Sequence, residues 1–322
     1  MTLVVKINLF LIHKLRMHLQ HLKPCYINHL KKCVITKFLG DGGFGIVEVY
    51  QCKQLHNNVI CNRSFVVKRI KKKYGLCNNI KENYIESIYN EYNMGILLDH
   101  VNIRKTFDID TISHSVIFEK CPGIDLLDYA NLYKLPNTRH LLSYFSQIIE
   151  AVTYLHNKSL AHLDLKLENI ILNTDTNVIK LVDFGEAVVF KESGKDIEFF
   201  NTRGTVQYFS PEMVERKSYF ADRVDVWCCG IIFYNLFYNI VPWKIASISD
   251  KRYSLYLSSI MKNELDSRVF SNNCETCNYY SETELIIIYK LFKMLLHPKP
   301  EKRKSISMIK SIYGLIKFDK DE

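Results

Sequence analysis

Over its first third the chain alternates hydrophobic and polar positions, and after that the period changes. Between Cys33 and Tyr50, "CVITKFL" leads into the glycine-rich "GDGGFG", and a β-branched run, "IVEVY", follows. Short alternating runs bounded by glycines predict a strand, a tight turn and a second strand. "SFVVKRI", ending on Ile70, predicts a third strand, and Lys71, Lys72 and Lys73 mark an exposed exit. A helix is predicted between Ile85 and Leu98, and "HSVIFEK" reads as one more strand. This part of the chain is sheet-rich.

Beyond Cys121-Pro122-Gly123 the pattern becomes helical. Pro136-Asn137-Thr138 is a helix start signal, and Leu141, Leu142, Phe145, Ile148, Ile149, Val152 and Leu155 then recur at helical spacing. "VWCCGIIFYNLFY", residues 226–238, is apolar on every side, which predicts a helix buried all round. The organisation expected is α+β: a small β-rich lobe over 33–120, a Pro-Gly hinge, and a larger helical lobe over 121–316. A basic extension, 1–32, precedes them and a short charged tail, 317–322, follows.

Composition allows two folded cores or one large domain. The chain has 322 residues, 48% of them hydrophobic, enough for two domains and far from the composition of a disordered chain. The net charge of +9 is local. Residues 1–40 hold seven basic residues and no acid, which leaves only +2 elsewhere. A basic stripe across the domain is thereby excluded, and with it a specific nucleic-acid partner. Within the basic segment Ile7, Leu11, Leu15, Leu19 and Leu22 stand near helical spacing. We expect an amphipathic helix packed on the first lobe; membrane contact or targeting is the lesser reading. Lys6 and Asn8 interrupt the apolar run, which argues against a secretory signal, and no stretch approaches the ~18 apolar residues of a membrane span. The ten cysteines are scattered and hold one Cys-x-x-Cys, Cys274 and Cys277, with no second pair at zinc spacing. They are expected to be reduced thiols of an intracellular, cytoplasmic protein.

The chemistry-bearing residues fall in order along this frame. "GDGGFGIV" sets Gly40, Gly42 and Gly45 as G-x-G-x-x-G-x-V between two strands. Glycines are needed where backbone N–H groups approach phosphate oxygens, because a Cβ would block the approach. Taken alone the turn also fits a dinucleotide-binding loop, although that loop leads into a helix and here a strand follows. A P-loop is excluded because no Gly-Lys-Ser/Thr closes the motif. Lys68, in "FVVKRI", and Glu91, heading "EYNMGILLDHVNI", would each pass in isolation for surface charge. In "LAHLDLKLEN", residues 160–169, Asp164 and Asn169 can share one turn with Lys166 between them. Asp183-Phe184-Gly185 follows the β-branched "IKLV", and "RGTVQYFSPE", "DVWCCG" and "PEKRKSI" stand downstream.

With these motifs in this order, the sequence resembles the eukaryotic protein kinase family, serine/threonine type, over about residues 34–315. The resemblance implies a bilobal protein kinase-like fold that uses ATP and Mg²⁺, with Mn²⁺ as a substitute, and acts on protein substrates. Leu39, Gly40, Gly42 and Gly45 would cover the nucleotide, and Lys68, held by Glu91, would contact its α- and β-phosphates. Val47, Val66 and Ile171 would sandwich the adenine, Glu119 to Cys121 would hydrogen-bond it, Phe118 would guard the rear of the pocket, and Asp125 would meet the ribose. Asp164 would orient the substrate hydroxyl and Lys166 would steady the transferred group, while Asn169 and Asp183 would hold the metal ions. Asp225 would brace the catalytic loop, and Glu212 would pair with Arg303. Lys166 and Thr205 mark serine/threonine specificity.

Two positions depart from the family pattern. Gly95 stands where a leucine is usual, so a gap and a mobile helix are expected, with an activating partner at the Glu91 helix and a gain of activity on Gly95→Leu. Leu163 replaces the arginine of the H-R-D motif, whose planar fork binds a phosphate on the activation segment. That segment also carries Glu186, Glu192, Asp196 and Glu198. Activity independent of activation-segment phosphorylation is therefore expected. The alternative is a nucleotide-binding pseudokinase scaffold, which loss of Lys68, Asp164 or Asp183 would favour; all three are present.

Overall fold

A computed structural model describes residues 33–41, 45–52, 54–56, 59–61, 63–70, 78–133, 138–262 and 282–314. The predicted N-terminal helix, Gly42, Lys71 to Lys73, and the pair Cys274 and Cys277 lie outside the described residues. The chain divides into two compact units, one of Met1–Leu98 with Lys105–Lys120, the other of Asp99–Arg104 with Cys121–Glu322.

The first unit contains β1 (Cys33–Asp41), β2 (Gly45–Cys52), β3 (Gln54–His56), β4 (Val59–Cys61), β5 (Ser64–Ile70), α1 (Asn78–Gly95), β6 (Thr106–Asp110) and β7 (Ser115–Glu119). Five of these strands form an antiparallel sheet in the order β1-β2-β5-β7-β6, and β3 pairs with β4 as a separate hairpin. In the central strand β5, the run Phe65-Val66-Val67 is buried throughout. Side chains in a strand alternate faces, so neighbours serve different cores. Val66 packs in one cluster with Val49, Val116 and Phe118 and with Ile88 and Tyr92 of α1. Phe65 joins Ile117 in a second cluster, where it meets Phe107 edge to face at 5.9 Å. Burying each such side chain contributes roughly 1.5–3 kcal/mol.

The three predicted strands and "HSVIFEK" lie where the pattern placed them. The helix differs: it starts at Asn78 and ends at Gly95, not 85–98. Strand β6, "TFDID", was not foreseen because its acids disguise it. Asp108 is buried, and its carboxylate accepts the N–H of Ile109 at 2.9 Å, which satisfies a polar group inside the sheet.

The second unit opens with β8 (Ile124–Asp125), α2 (Leu126–Tyr133) and α3 (Thr138–Asn157). Each of the seven apolar positions predicted to face the core from α3 is buried. Short strands follow: β9 (Leu160–Ala161), β10 (Ile170–Asn173), β11 (Val178–Leu181), β12 (Val188–Val189), β13 (Lys191–Glu192), β14 (Lys195–Asp196) and β15 (Glu198–Phe199). Then come α4 (Pro211–Val214), β16 (Tyr219–Phe220), α5 (Ala221–Tyr238), α6 (Lys251–Lys262), α7 (Glu282–Leu295) and α8 (Ile306–Gly314).

Helix α5 is the centre of this unit and is buried from Val224 to Phe237, as its all-round apolar sequence predicts. Gly230 lets a neighbouring segment come close, since a Cβ there would lie 2.6 Å from Leu296 Cγ and 3.0 Å from Leu295 Cβ. Asn239, left-handed at φ 54°, ends the helix by donating its N–H to the Asn235 carbonyl at 2.7 Å. Phe233 stacks on Phe145 of α3 at 4.3 Å and meets Phe292 of α7 at 4.9 Å. No described helix is long and apolar enough to cross a membrane.

Candidate active site

In the first unit the sheet presents Lys68 from β5, opposite Val47 of β2 and Val116 of β7. Its ammonium lies 2.8 Å from Glu91 Oε2, with the lysine side chain 22% exposed and the glutamate 1%. A glutamate this buried is not surface charge. It needs a cation close by, because an unpaired carboxylate in such a setting costs several kcal/mol.

Of the residues expected around the adenine, Val47, Val66, Phe118 and Glu119 occupy the same sheet. Val66 of β5 pairs with Phe118 of β7, and both are buried, with Val47 packed against their cluster. Glu119 exchanges bonds with Lys105: its N–H donates to the Lys105 carbonyl at 2.9 Å, and its carboxylate accepts the Lys105 N–H at 3.0 Å. Gly40 lies opposite Val47 beyond a register shift in β1, beside the exposed Leu39, and a Cβ on it would touch nothing within 4 Å. At Gly45 a Cβ would sit 3.3 Å from the Arg69 carbonyl.

The expected gap beside Gly95 is absent. The threonine Thr106 fills it, and a Cβ on Gly95 would fall 3.1 Å from Thr106 Cβ and into direct collision with its hydroxyl. Glycine at 95 therefore accommodates a neighbouring side chain, and the Lys68–Glu91 pair is formed beside it.

In the second unit, Asp164 sits where three donors converge. Its carboxylate accepts the Thr205 hydroxyl at 2.9 Å on Oδ1, and on Oδ2 the Asn169 amide at 3.1 Å and the Lys166 ammonium at 2.7 Å. Lys166 also donates to Thr205 Oγ1 at 2.8 Å, which closes a ring of three residues. The Asn169 amide donates as well to the Asp164 carbonyl at 2.8 Å, and because both its partners are acceptors its oxygen must face away from Asp164. A carboxylate offers about four lone-pair directions. With three donors engaged, a direction is left for an incoming hydroxyl.

Asn169 and Asp183 stand at one end of a hairpin. Ile170 of β10 pairs with Leu181 of β11, and the Val182 N–H donates to the Asn169 carbonyl at 3.0 Å. Asp183 follows at φ 63°, a left-handed conformation, with the Gly185 N–H donating to its Oδ1 at 3.3 Å. A carboxylate and an amide oxygen are hard donors of the kind Mg²⁺ takes. These two residues fit the ion on their chemistry.

The loop carrying Asp164 is held by Asp225 of α5. The N–H groups of His162 and Leu163 donate to its carboxylate at 2.8 and 2.9 Å, and the His156 ring meets it at 3.0 Å. His162 Nδ1 accepts the Asp164 N–H at 3.3 Å, so its Nε2 carries the proton given to the Val182 carbonyl at 3.1 Å. The His162 ring also packs on Phe184 at 4.9 Å. Burial pushes the Tyr208 phenol, next to this loop, well above its ordinary value, so it serves as a neutral partner of the Leu167 N–H.

Ile171 of β10 pairs directly with Asp125 of β8. Asp125 also caps α2, accepting the Asp128 N–H at 2.8 Å, and burial raises its carboxyl above the usual range. Cys121 is half-buried.

The segment from Asp183 to Glu212 is tied down by contacts that its sequence did not disclose. Strand β12 pairs with β9, β13 with β14, and β15 with β16. Phe199 stacks on Tyr219, whose hydroxyl donates to the Asn201 carbonyl at 2.7 Å, and Arg203 lies 3.8 Å from Glu186. Gly204 adopts φ 91° next to the catalytic loop, where a Cβ would come within 2.5 Å of the Leu163 carbonyl. Leu163 itself is buried, 2% exposed.

An acceptor carboxylate oriented by a lysine and a hydroxyl, and a pair of hard oxygen donors at a hairpin end, are parts of a phosphoryl-transfer site. The chain belongs to the protein kinase family, whose protein kinase domain model matches residues 33–312. It is 33% identical over 241 residues to the nitrogen permease reactivator protein of Saccharomyces cerevisiae, covering 72% of this chain and 28% of that protein. It is 32% identical over 231 residues to the serine/threonine-protein kinase PRR2 of the same yeast, covering 68% and 30%. With the CBL-interacting protein kinase 28 of Oryza sativa it shares 29% over 279 residues, covering 86% and 57%. The chain thus spans between about a quarter and three fifths of the length of these curated relatives.

Proposed function

We propose that this protein is an ATP- and Mg²⁺-dependent serine/threonine protein kinase whose activity does not require phosphorylation of its activation segment. The observation that carries the reading is the ring of Asp164, Lys166 and Thr205, closed by bonds of 2.7 to 2.9 Å. In this ring Asp164 orients and accepts from the hydroxyl of a protein serine or threonine, and Lys166 compensates charge on the transferred group. Lys68, fixed by Glu91, engages the nucleotide phosphates. Asn169 and Asp183 would hold Mg²⁺, which when bound would supply charge neutralisation for the phosphoryl oxygens. Phosphoryl transfer demands little covalent help and much charge compensation, and the residues present supply the latter.

Independence from phosphorylation rests on Leu163, which has no donor for a phosphate, and on the strand pairs and the Tyr219 and Arg203 contacts that already order the segment. A partner acting on the Glu91 helix would act on an ion pair already formed, and its effect is expected on the persistence of that pair. A cytoplasmic location is part of this reading, and it accords with Cys228 and Cys229 being buried as thiols in α5.

The test is transfer of labelled γ-phosphate to generic protein substrates by purified protein, beside Asp183→Asn. Incorporation lost in the variant supports the kinase; equal incorporation in both points to a contaminant and removes the assignment. Nucleotide binding without transfer in the wild type would favour the scaffold.

A further inference from the structure

The second unit holds a cavity that none of the residues assigned to catalysis lines. It has a volume of about 830 Å³, is open rather than enclosed, and is built from α7, the 297–304 segment and α8. Ile287 and Met294 of α7 and Ile312 of α8 supply apolar surface. Positions 287, 290 and 294 fall at i, i+3 and i+7, so α7 turns one face to the groove.

The charge around it is predominantly positive. Lys290, Lys293, Lys302 and Lys304 line the cavity against a single acid, Glu301. Arg303 also belongs to the wall, but its charge is neutralised by Glu212, with both guanidinium contacts at 2.6 Å. His297 adds no charge at neutral pH, since burial, then Lys302 and Arg303, push its imidazole below the ordinary value. The wall is preformed: Arg303 Nε donates to the His297 carbonyl at 2.8 Å, and its guanidinium lies over the Trp227 ring at 4.9 Å. A rigid groove lowers the ordering cost of binding.

We propose that this groove docks an acidic, amphipathic peptide segment of a protein partner. Apolar side chains of the segment enter between Ile287, Met294 and Ile312, while its Asp and Glu residues meet the exposed Lys290, Lys302 and Lys304. Charge complementarity selects an acidic occupant. The open shape suits a peptide whose contacts alternate between apolar and charged, and suits less a lipid chain that must be enclosed. Binding here needs no phosphoryl transfer, so the docking surface stands or falls apart from the kinase reading.

Fluorescence anisotropy of the full chain tests it, using a labelled synthetic peptide with leucines at helical spacing among glutamates. Lys290→Glu with Lys302→Glu should weaken binding by about tenfold or more, with weaker binding as salt rises. Met294→Lys should do the same through the apolar contact, and thermal melting checks that each variant folds. Equal binding of a leucine-free acidic peptide, affinity unchanged in both variants, or binding of phosphatidylserine vesicles in place of the peptide would overturn the proposal.

Discussion

Thr205 contributes a hydroxyl that accepts from Lys166 and donates to Asp164, so it sets the angle between the two groups. Replacing it with valine keeps the volume and removes both bonds. Thr205→Val is expected to lower kcat by about tenfold or more, since each hydrogen bond to a charged group is worth roughly 1.5–3 kcal/mol, and Thr205→Ser should restore most of the rate. Steady-state kinetics of the three proteins decide it. At Gly95 the outcome is reversed from what the family pattern alone suggests. With Thr106 against it, Gly95→Leu is expected to lower the melting temperature and the activity together. A rise in basal rate would show that Thr106 yields. Lys68, Asp164, Asn169 and Asp183 were legible because their spacing is tied to motifs. Thr205 was named from the resemblance, but its bond to Asp164 across 41 residues was not legible, nor was the approach of Thr106, on a strand, to Gly95 at the end of a helix, because such contacts leave no local signal.

Among the elements, the segment from Asp183 to Glu212 is ordered by short strand pairs and by the stacking of Phe199 on Tyr219. Ser193 and Gly194 both have positive φ, 50° and 79°, the turn geometry that suits a two-residue hairpin and joins β13 to β14. That Ser-Gly pair was the one available sequence signal for the hairpin. The pairing of β15 with β16 had none, since it joins two short runs across the helix α4. Thr202, exposed beside Arg203, is the natural place for a regulatory phosphate. Thr202→Ala should leave turnover near wild type, whereas Tyr219→Phe, which loses the bond to the Asn201 carbonyl, should expose the segment to proteolysis. A loss of about a hundredfold in the first variant, roughly 2.7 kcal/mol of barrier, would refute phosphorylation independence. By contrast α3 was legible because it buries an apolar pattern of helical period, and β5 and α5 because each contains a buried apolar run, short in the strand and long in the helix.

At the scale of the molecule, the second unit is closed by long-range polar bonds set in an aromatic core. Arg303, with its side chain fully buried, grips Glu212 across 91 positions of sequence. Removing one partner leaves the other charged and buried. Arg303→Met should cost about 3–5 kcal/mol and lower the melting temperature of the second unit, as calorimetry would show. Residues 99–104 join this same unit through Asn102, whose amide donates to Gln147 at 2.8 Å and to the Ile179 carbonyl at 3.0 Å. No periodicity announces such a crossing; the two-part organisation itself was legible from the change of period at Cys121-Pro122-Gly123.

Asp225 gives this fold an order of events. Leu163 has φ 62°, a conformation that costs a residue with a Cβ roughly 1–2 kcal/mol, and Asp225 accepts bonds from it and from His162 across 62 and 63 positions. On a chain emerging from the ribosome, the catalytic loop is made well before the residue that holds it. Until α5 has emerged and packed, the strained turn has nothing to offset its cost, and Asp164 is a flexible acid on an unfinished loop. The nascent protein is therefore expected to remain chemically silent until its second unit closes.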